Sequence, residues 1–127
     1  MIIADTNIII DFWNNPTEKA RHIFADNDIA TCGVIKTELL RGARSEKQFT
    51  EFNEALNDFS YLLFEESDWI ELAEQFIEFR RNGLTVPFQD AMIAYLGIKY
   101  NCSIWTNDNH FKLMQVVLPK LQVFDAR

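Results

Sequence analysis

The sequence predicts an α/β domain, a three-layer α/β/α sandwich whose mostly parallel central sheet of four to five strands is covered by helices on both faces. Two observations carry this. Short apolar runs of strand length alternate with longer stretches of helical spacing, and such alternation builds parallel sheets through right-handed crossovers. The chain has 127 residues, 48% of them apolar, which suits one domain around one buried core. No repeat, low-complexity tract or linker interrupts it, so residues 1–127 are read as a single domain.

The elements follow in order. Ile2 to Ala4 is a short apolar strand ending at Asp5. Asn15-Pro16-Thr17-Glu18 opens a helix, with Asn15 as cap, Pro16 at the first helical position, and Ala20, Ile23 and Phe24 facing inward. A second strand runs near Ile29 to Thr31. A helix over about Val34 to Arg41 is stopped by Gly42, expected as its left-handed C′ residue. Ser45-Glu46-Lys47-Gln48 caps a helix with Phe49, Phe52, Leu56 and Phe59 on one stripe. Tyr61 to Phe64 is short and continuously apolar, as a buried strand is. Ser67 then caps a helix whose expected inner face is Trp69, Ile70, Ala73, Phe76 and Ile77, and which ends at Gly83. A helix from about Gln89 to Lys99 and strands near Ser103 to Trp105 and Leu121 to Phe124 complete the set.

Composition narrows the function. No apolar run approaches the roughly 18 residues of a membrane span. The N-terminus lacks the basic and apolar regions of a secretory signal, so a cytoplasmic location is expected. Cys32 and Cys102 lack metal or redox spacing and are expected to be buried thiols. His22 and His110 have no partner at ligand spacing, and structural or surface roles are expected for both, although His110, two residues after Asp108, could line the site without a catalytic role. The net charge of −7 has the wrong sign for generic phosphate binding, so contact with nucleic acid must be arranged locally.

Four acids stand where apolar runs give way to turns or helices: Asp5, Glu38, Asp90 and Asp108. Strand ends and helix starts at one edge of an α/β sheet converge on one crevice. Carboxylates about 5 Å apart repel by roughly 3 kcal/mol at an effective dielectric near 20, so a cluster of them calls for protons or cations. Glu38 stands out, since its neighbours Val34, Ile35, Leu39 and Leu40 imply a buried helix where an unpaired charge is costly. Thr6, Asn7, Thr106 and Asn107 flank the acids and could orient them by hydrogen bonds. Oxygen donors without histidine or thiolate favour Mg²⁺ or Mn²⁺, one or two ions, over zinc.

The segments Ile3-Ala4-Asp5-Thr6-Asn7, Glu38-Leu39-Leu40-Arg41-Gly42, Pro87-x-x-Asp90-x-x-Ile93-Ala94 and Thr106-Asn107-Asp108-x-His110-Phe111 occur in this order over nearly the whole chain. In these segments the chain resembles the PIN-domain ribonucleases, specifically VapC-type toxins of toxin–antitoxin pairs. Tyr95 and Gly97 depart from the small residues, such as Ala, often found there in that family.

The resemblance implies a PIN-like fold and metal-assisted hydrolysis of RNA, transfer RNA or a ribosomal RNA loop, leaving 5′-phosphate and 3′-hydroxyl ends. Asp5 and Asp90 would be the principal metal ligands, with Glu38 and Asp108 binding through water or orienting it. Arg41, Arg44, Lys47, Arg80 and Arg81 are candidates for phosphate contacts or simply solvated charges. A VapB-like antitoxin and a homodimer partner are implied as well, with Phe12, Trp13, Phe49 and Phe52 available for contacts if they are not core. Two other classes fit an acidic pocket. A phosphate-transfer or receiver-like signalling module would want a second early Asp or a late Lys after a strand, where this chain has Asn7 and Thr106-Asn107. A non-catalytic binding protein of the same fold would have no need of all four acids.

Overall fold

The computed structural model describes residues 1–127. Its sheet has five strands, all parallel: β1 (Ile2–Ala4), β2 (Ile29–Cys32), β3 (Ser60–Leu62), β4 (Ser103–Trp105) and β5 (Gln122–Val123), in the spatial order β3-β2-β1-β4-β5. Seven helices connect them: α1 (Thr6–Asn14), α2 (Glu18–Asp26), α3 (Gly33–Arg41), α4 (Glu46–Leu56), α5 (Asp68–Arg81), α6 (Phe88–Lys99) and α7 (His110–Val117). The chain runs outward from β1 through β2 to β3, then crosses back to lay β4 on the other side of β1. Right-handed crossovers in opposite directions put the two helix groups on opposite faces. The reversal leaves a crevice between the C-terminal ends of β1 and β4, the place where open α/β sheets carry their sites.

The core is built on strands with no exposed residue in β1 or β2 and on α6, where Ala91 and every residue from Ile93 to Gly97 are buried. Gly97 has a packing role. A Cβ there would come within 2.7 Å of Ile104 Cδ1, so any larger residue requires that buried methyl to shift or α6 to move off β4.

Helix ends follow local chemistry. Gly83, at φ 70°, closes α5 in a Schellman motif: its N–H donates to Arg80 O, and Leu84 N–H donates to Phe79 O. Asn101, at φ 54°, ends α6 the same way, with Asn101 N–H to Ile98 O and Cys102 N–H to Gly97 O. Gly42 does not use the left-handed region; its φ is −82° and it closes α3 in a right-handed turn.

Several expectations are corrected. The sequence reading has no helix at 6–14 or 110–117, yet α1 and α7 fill both. The apolar residues Ile8, Ile9, Ile10, Phe12 and Trp13, broken only by Asp11, mask the helical period of α1. Asn15 belongs to that helix as its C-cap, with its N–H on Asp11 O. The cap of α2 is therefore Thr17, whose hydroxyl accepts Ala20 N–H at 3.1 Å, and Pro16 lies ahead of it. Phe59 falls beyond α4, and the strand expected at 61–64 is shifted to 60–62.

The largest correction concerns α5. Its inner face is Asp68, Leu72, Gln75 and Phe79, while Trp69, Ile70 and Ile77 are exposed, Ile70 by 70%. Ser67 makes no capping bond. Asp68, the first helical residue, reaches back to accept Glu65 N–H at 2.7 Å, and it also accepts from Tyr95 Oη at 2.7 Å and Lys99 Nζ at 2.8 Å. Burial pushes the Asp68 carboxyl up, but Lys99 and the other donors outweigh burial and hold it below the usual range. The Tyr95 hydroxyl bridges Asp68 and Glu71, so a polar clamp holds α5 to α6.

Candidate metal centre

The crevice beside β1 and β4 collects all four acids. Asp5 directly follows β1 and caps α1, its Oδ1 accepting Thr6 N–H at 2.8 Å. Its own N–H donates to Trp105 O, extending the β1–β4 ladder to the rim of the crevice. Asp5 Oδ2 accepts the Thr106 hydroxyl at 2.8 Å, and Thr106 Oγ1 in turn accepts Asp108 N–H at 3.0 Å. One threonine thus ties the acid after β1 to the acid after β4. Asp90 enters from the first turn of α6, and Glu38 from the middle of α3.

The electrostatics show these carboxylates feeling one another. Burial pushes Asp90 from an ordinary 3.8 up to about 6, reinforced by the charges of Asp108 and Asp5. Burial also raises Glu38, with the Asp5 charge adding and Arg41 and Thr6 opposing. Asp108 goes the other way. Burial raises it, but the backbone N–H and ring of His110 outweigh burial and hold it below its ordinary value. Asp5 is the common neighbour, facing both Glu38 and Asp90.

Thr6 is buried, and its hydroxyl lies beside Glu38 without a hydrogen bond of full geometry to any protein group. An orphaned hydroxyl among crowded carboxylates fits a site completed by a cation and its water. The donor set, mostly carboxylate oxygen, suits a hard divalent ion. Asn7 and Asn107 are exposed at the rim, whereas Thr6 and Thr106 are bonded or buried within the site.

His110 comes closer to the acids than a lining or surface role requires. Its Nδ1 is 3.0 Å from Asp108 Oδ1 and 3.4 Å from Asp90 Oδ2. Asp90, Asp108 and His110 each offer a ligand atom, all within 4.8 Å of one another. The spacing Asp108-x-His110 at the start of α7 was the available signal. His22 is exposed and pairs only with Glu18, at 3.8 Å.

Two open grooves meet at Glu38. One, of about 440 Å³, is lined by Gly33, Thr37, Arg41, Gln89 and Met92. The other, of about 410 Å³, is lined by Ile10, Trp13, Arg44, Gln48 and Phe52. Arg41 and Arg44 therefore stand beside the acids. Lys47 pairs with Glu51 at 4.0 Å and Arg81 with Glu78 at 3.5 Å, while Arg80 is exposed in the last turn of α5. Phe12 stacks on Phe24 and Trp13 on Phe52, but Phe49 is exposed. Cys32 and Cys102 are buried free thiols. No helix is long and apolar enough to cross a membrane.

Comparison with known proteins gives the family and the fold. The family described as PIN domain matches residues 2–116. VapBC from Salmonella typhimurium, solved bound to DNA, is similar at 22% identity and TM-score 0.84, covering 99% of this chain and 98% of that one. VapBC2 from Rickettsia felis, bound to a promoter DNA fragment, is similar at 23% identity and TM-score 0.80, covering 98% of each chain. FitAcB from Neisseria gonorrhoeae shares 17% identity at TM-score 0.73, over 99% of this chain and 98% of that one. No protein of curated function matches in sequence.

Proposed function

Given that the chain belongs to the PIN-domain family, we propose that it is a divalent-metal-dependent endoribonuclease and the toxin of a toxin–antitoxin pair. The observation that carries this reading is the focusing of four carboxylates on the crevice between β1 and β4, where Asp90 is held up to about 6 by burial and by Asp108 and Asp5. The toxin role is supported by fold likeness to VapBC complexes.

Asp5, Asp90 and Asp108 would hold one or two Mg²⁺ or Mn²⁺ ions, with Glu38 at the edge of the site. A bound ion supplies Lewis acidity for water activation and neutralises charge at a phosphodiester. The chain's own residues do the rest. Thr106 fixes the Asp5 carboxylate and the Asp108 main chain, so both acids are oriented before any ligand arrives. Glu38, with its raised affinity for protons, would accept one from an attacking water. Arg41 and Arg44 bring positive charge to the two grooves that share Glu38, which suits phosphates entering from either side despite the net charge of −7.

A VapB-like antitoxin is the proposed partner, and the groove of Ile10, Trp13 and Phe52 beside Glu38 is open to an apolar segment. A homodimer through α5 is proposed too, since Trp69, Ile70 and Ile77 expose one apolar stripe. Light scattering on wild type and Ile70→Glu tests it, and a monomeric wild type would end the idea.

The central test is RNA cleavage. Protein purified free of its partner and supplied with Mg²⁺ or Mn²⁺ is expected to cut a cellular RNA pool, leaving 5′-phosphate ends by end-mapping. Asp90→Asn is expected to abolish cleavage while keeping the fold. Full activity in that variant would sink the proposal.

A further inference from the structure

We propose that His110 is a direct ligand of the divalent ion through Nδ1, making this an N,O,O site that favours a first-row transition ion, Mn²⁺ or its heavier neighbours, over Mg²⁺. The inference rests on the reading of the acidic crevice as a metal site.

The argument is geometric. In an octahedral site with bonds of about 2.1 Å, neighbouring donors sit √2 times that distance apart, about 3.0 Å. The distances from His110 Nδ1 to Asp108 Oδ1 and Asp90 Oδ2 are 3.0 and 3.4 Å. All three ligand atoms lie within 4.8 Å of one another. The two spacings from His110 Nδ1 therefore match neighbouring positions around one ion.

The ring is held in that direction by the main chain. His110 N–H donates to Asp108 Oδ1 at 2.9 Å, closing the turn that starts α7, and the next residue, Phe111, is fully buried. The imidazole is thus delivered by the same turn that delivers Asp108. A second sign that the site takes a ligand is the Thr6 hydroxyl, buried beside Glu38 without a hydrogen bond of full geometry.

Chemistry then sets the preference. Mg²⁺ is satisfied by oxygen and water and gains little from imidazole. Affinity of mixed nitrogen and oxygen sites rises along the first-row series from Mn²⁺ to Cu²⁺. A nitrogen ligand at a carboxylate site therefore separates Mn²⁺ from Mg²⁺, which four carboxylates alone do poorly.

The test uses the full chain and the metals themselves. Pulsed EPR of the Mn²⁺-loaded wild type should show nitrogen modulation from one imidazole. The signal should persist in His22→Gln, which removes the only other histidine, and vanish in His110→Asn. By calorimetry, His110→Asn should weaken Mn²⁺ by about tenfold or more, on the scale of losing a group that supports a metal site, and Mg²⁺ by clearly less. If Mn²⁺ binds the wild type without nitrogen modulation, His110 is only a hydrogen-bond partner of the acids; the inference falls while the metal-site reading stands. If Mn²⁺ does not bind, or binds equally to Asp90→Asn, the metal-site reading falls and takes this inference with it.

Discussion

Asp90→Asn should stabilise the metal-free protein, and the size of the gain can be worked from the site. The Asp90 carboxyl is pushed from 3.8 up to about 6, and each pKa unit corresponds to about 1.4 kcal/mol. The full shift is thus roughly 3 kcal/mol, and solvent screening at a partly open crevice reduces it to about 1–2 kcal/mol. The sign follows from proton binding. Between about 4 and 6 the folded protein binds more protons at this group than the unfolded chain, so the stability it contributes is full at low pH and lost as pH rises through about 6. At pH 7.5 the ionised Asp90 carries its whole penalty, which asparagine lacks. With an unfolding entropy of about 2.1 cal/mol/K per residue, that penalty corresponds to a melting temperature about 4–7 °C higher for Asp90→Asn in EDTA. By the same linkage the gap falls to about half at pH 5, because the carboxyl is then largely protonated in the fold. Excess Mn²⁺ should reverse the order at pH 7.5, since saturation at about 100 times Kd adds roughly 2.7 kcal/mol to the form that binds it. Circular-dichroism melts at two pH values, with EDTA or Mn²⁺, read all of this. No gain at pH 7.5, or a gain that does not shrink at pH 5, would refute the electrostatic account.

Other substitutions test other parts of the structure. Thr106→Val removes the hydroxyl that joins Asp5 Oδ2 to Asp108 N–H; it should cost about 1–2 kcal/mol in urea unfolding, and Thr106→Ser should restore most of it. Gly97→Ala drives a Cβ to 2.7 Å from Ile104 Cδ1, an overpacking expected to cost about 1–3 kcal/mol; an unchanged urea midpoint would show that α6 can move off β4. Leu72→Ala should cost about 2–4 kcal/mol, whereas Ile70→Glu, on the opposite side of α5, should change monomer stability by less than about 0.5 kcal/mol. Equal losses in that pair would return Ile70 to the core.

The sheet was readable because its strands are short apolar runs bounded by polar residues, and β1, β2 and β4 are buried throughout or nearly so. Parallel order followed from alternation with helices, but the spatial order did not. Nothing local in Ser103–Trp105 says that it pairs with β1 and not with β3. The α5 error has a different source. Trp69, Ile70, Ala73, Phe76 and Ile77 make a good helical stripe, yet α6 packs against the face that carries Asp68 and Gln75. Periodicity identifies a face by its oil. Here the inner face is made partly of polar groups that find partners in Tyr95, Lys99 and the Ala91 carbonyl, information held by a distant helix.

That the four acids converge on one crevice was legible for a physical reason: a carboxylate beside buried residues is costly, and four at element ends share one destination. The histidine is legible only as a neighbour that could line the site, and the direction of its ring is not, because the seventh helix is not. An imidazole acts through the direction of its ring, and that direction is set by the turn that starts α7, where His110 N–H closes on Asp108. Phe111 and Met114, the two fully buried residues of α7, are three apart, but in eight residues such spacing is too little to establish a helix. Without that helix, His110 is simply a residue near an acid. With it, Nδ1 faces two carboxylates at ligand spacing. The proposed metal preference would therefore depend on the packing of Phe111 and Met114, neither of which carries a ligand atom.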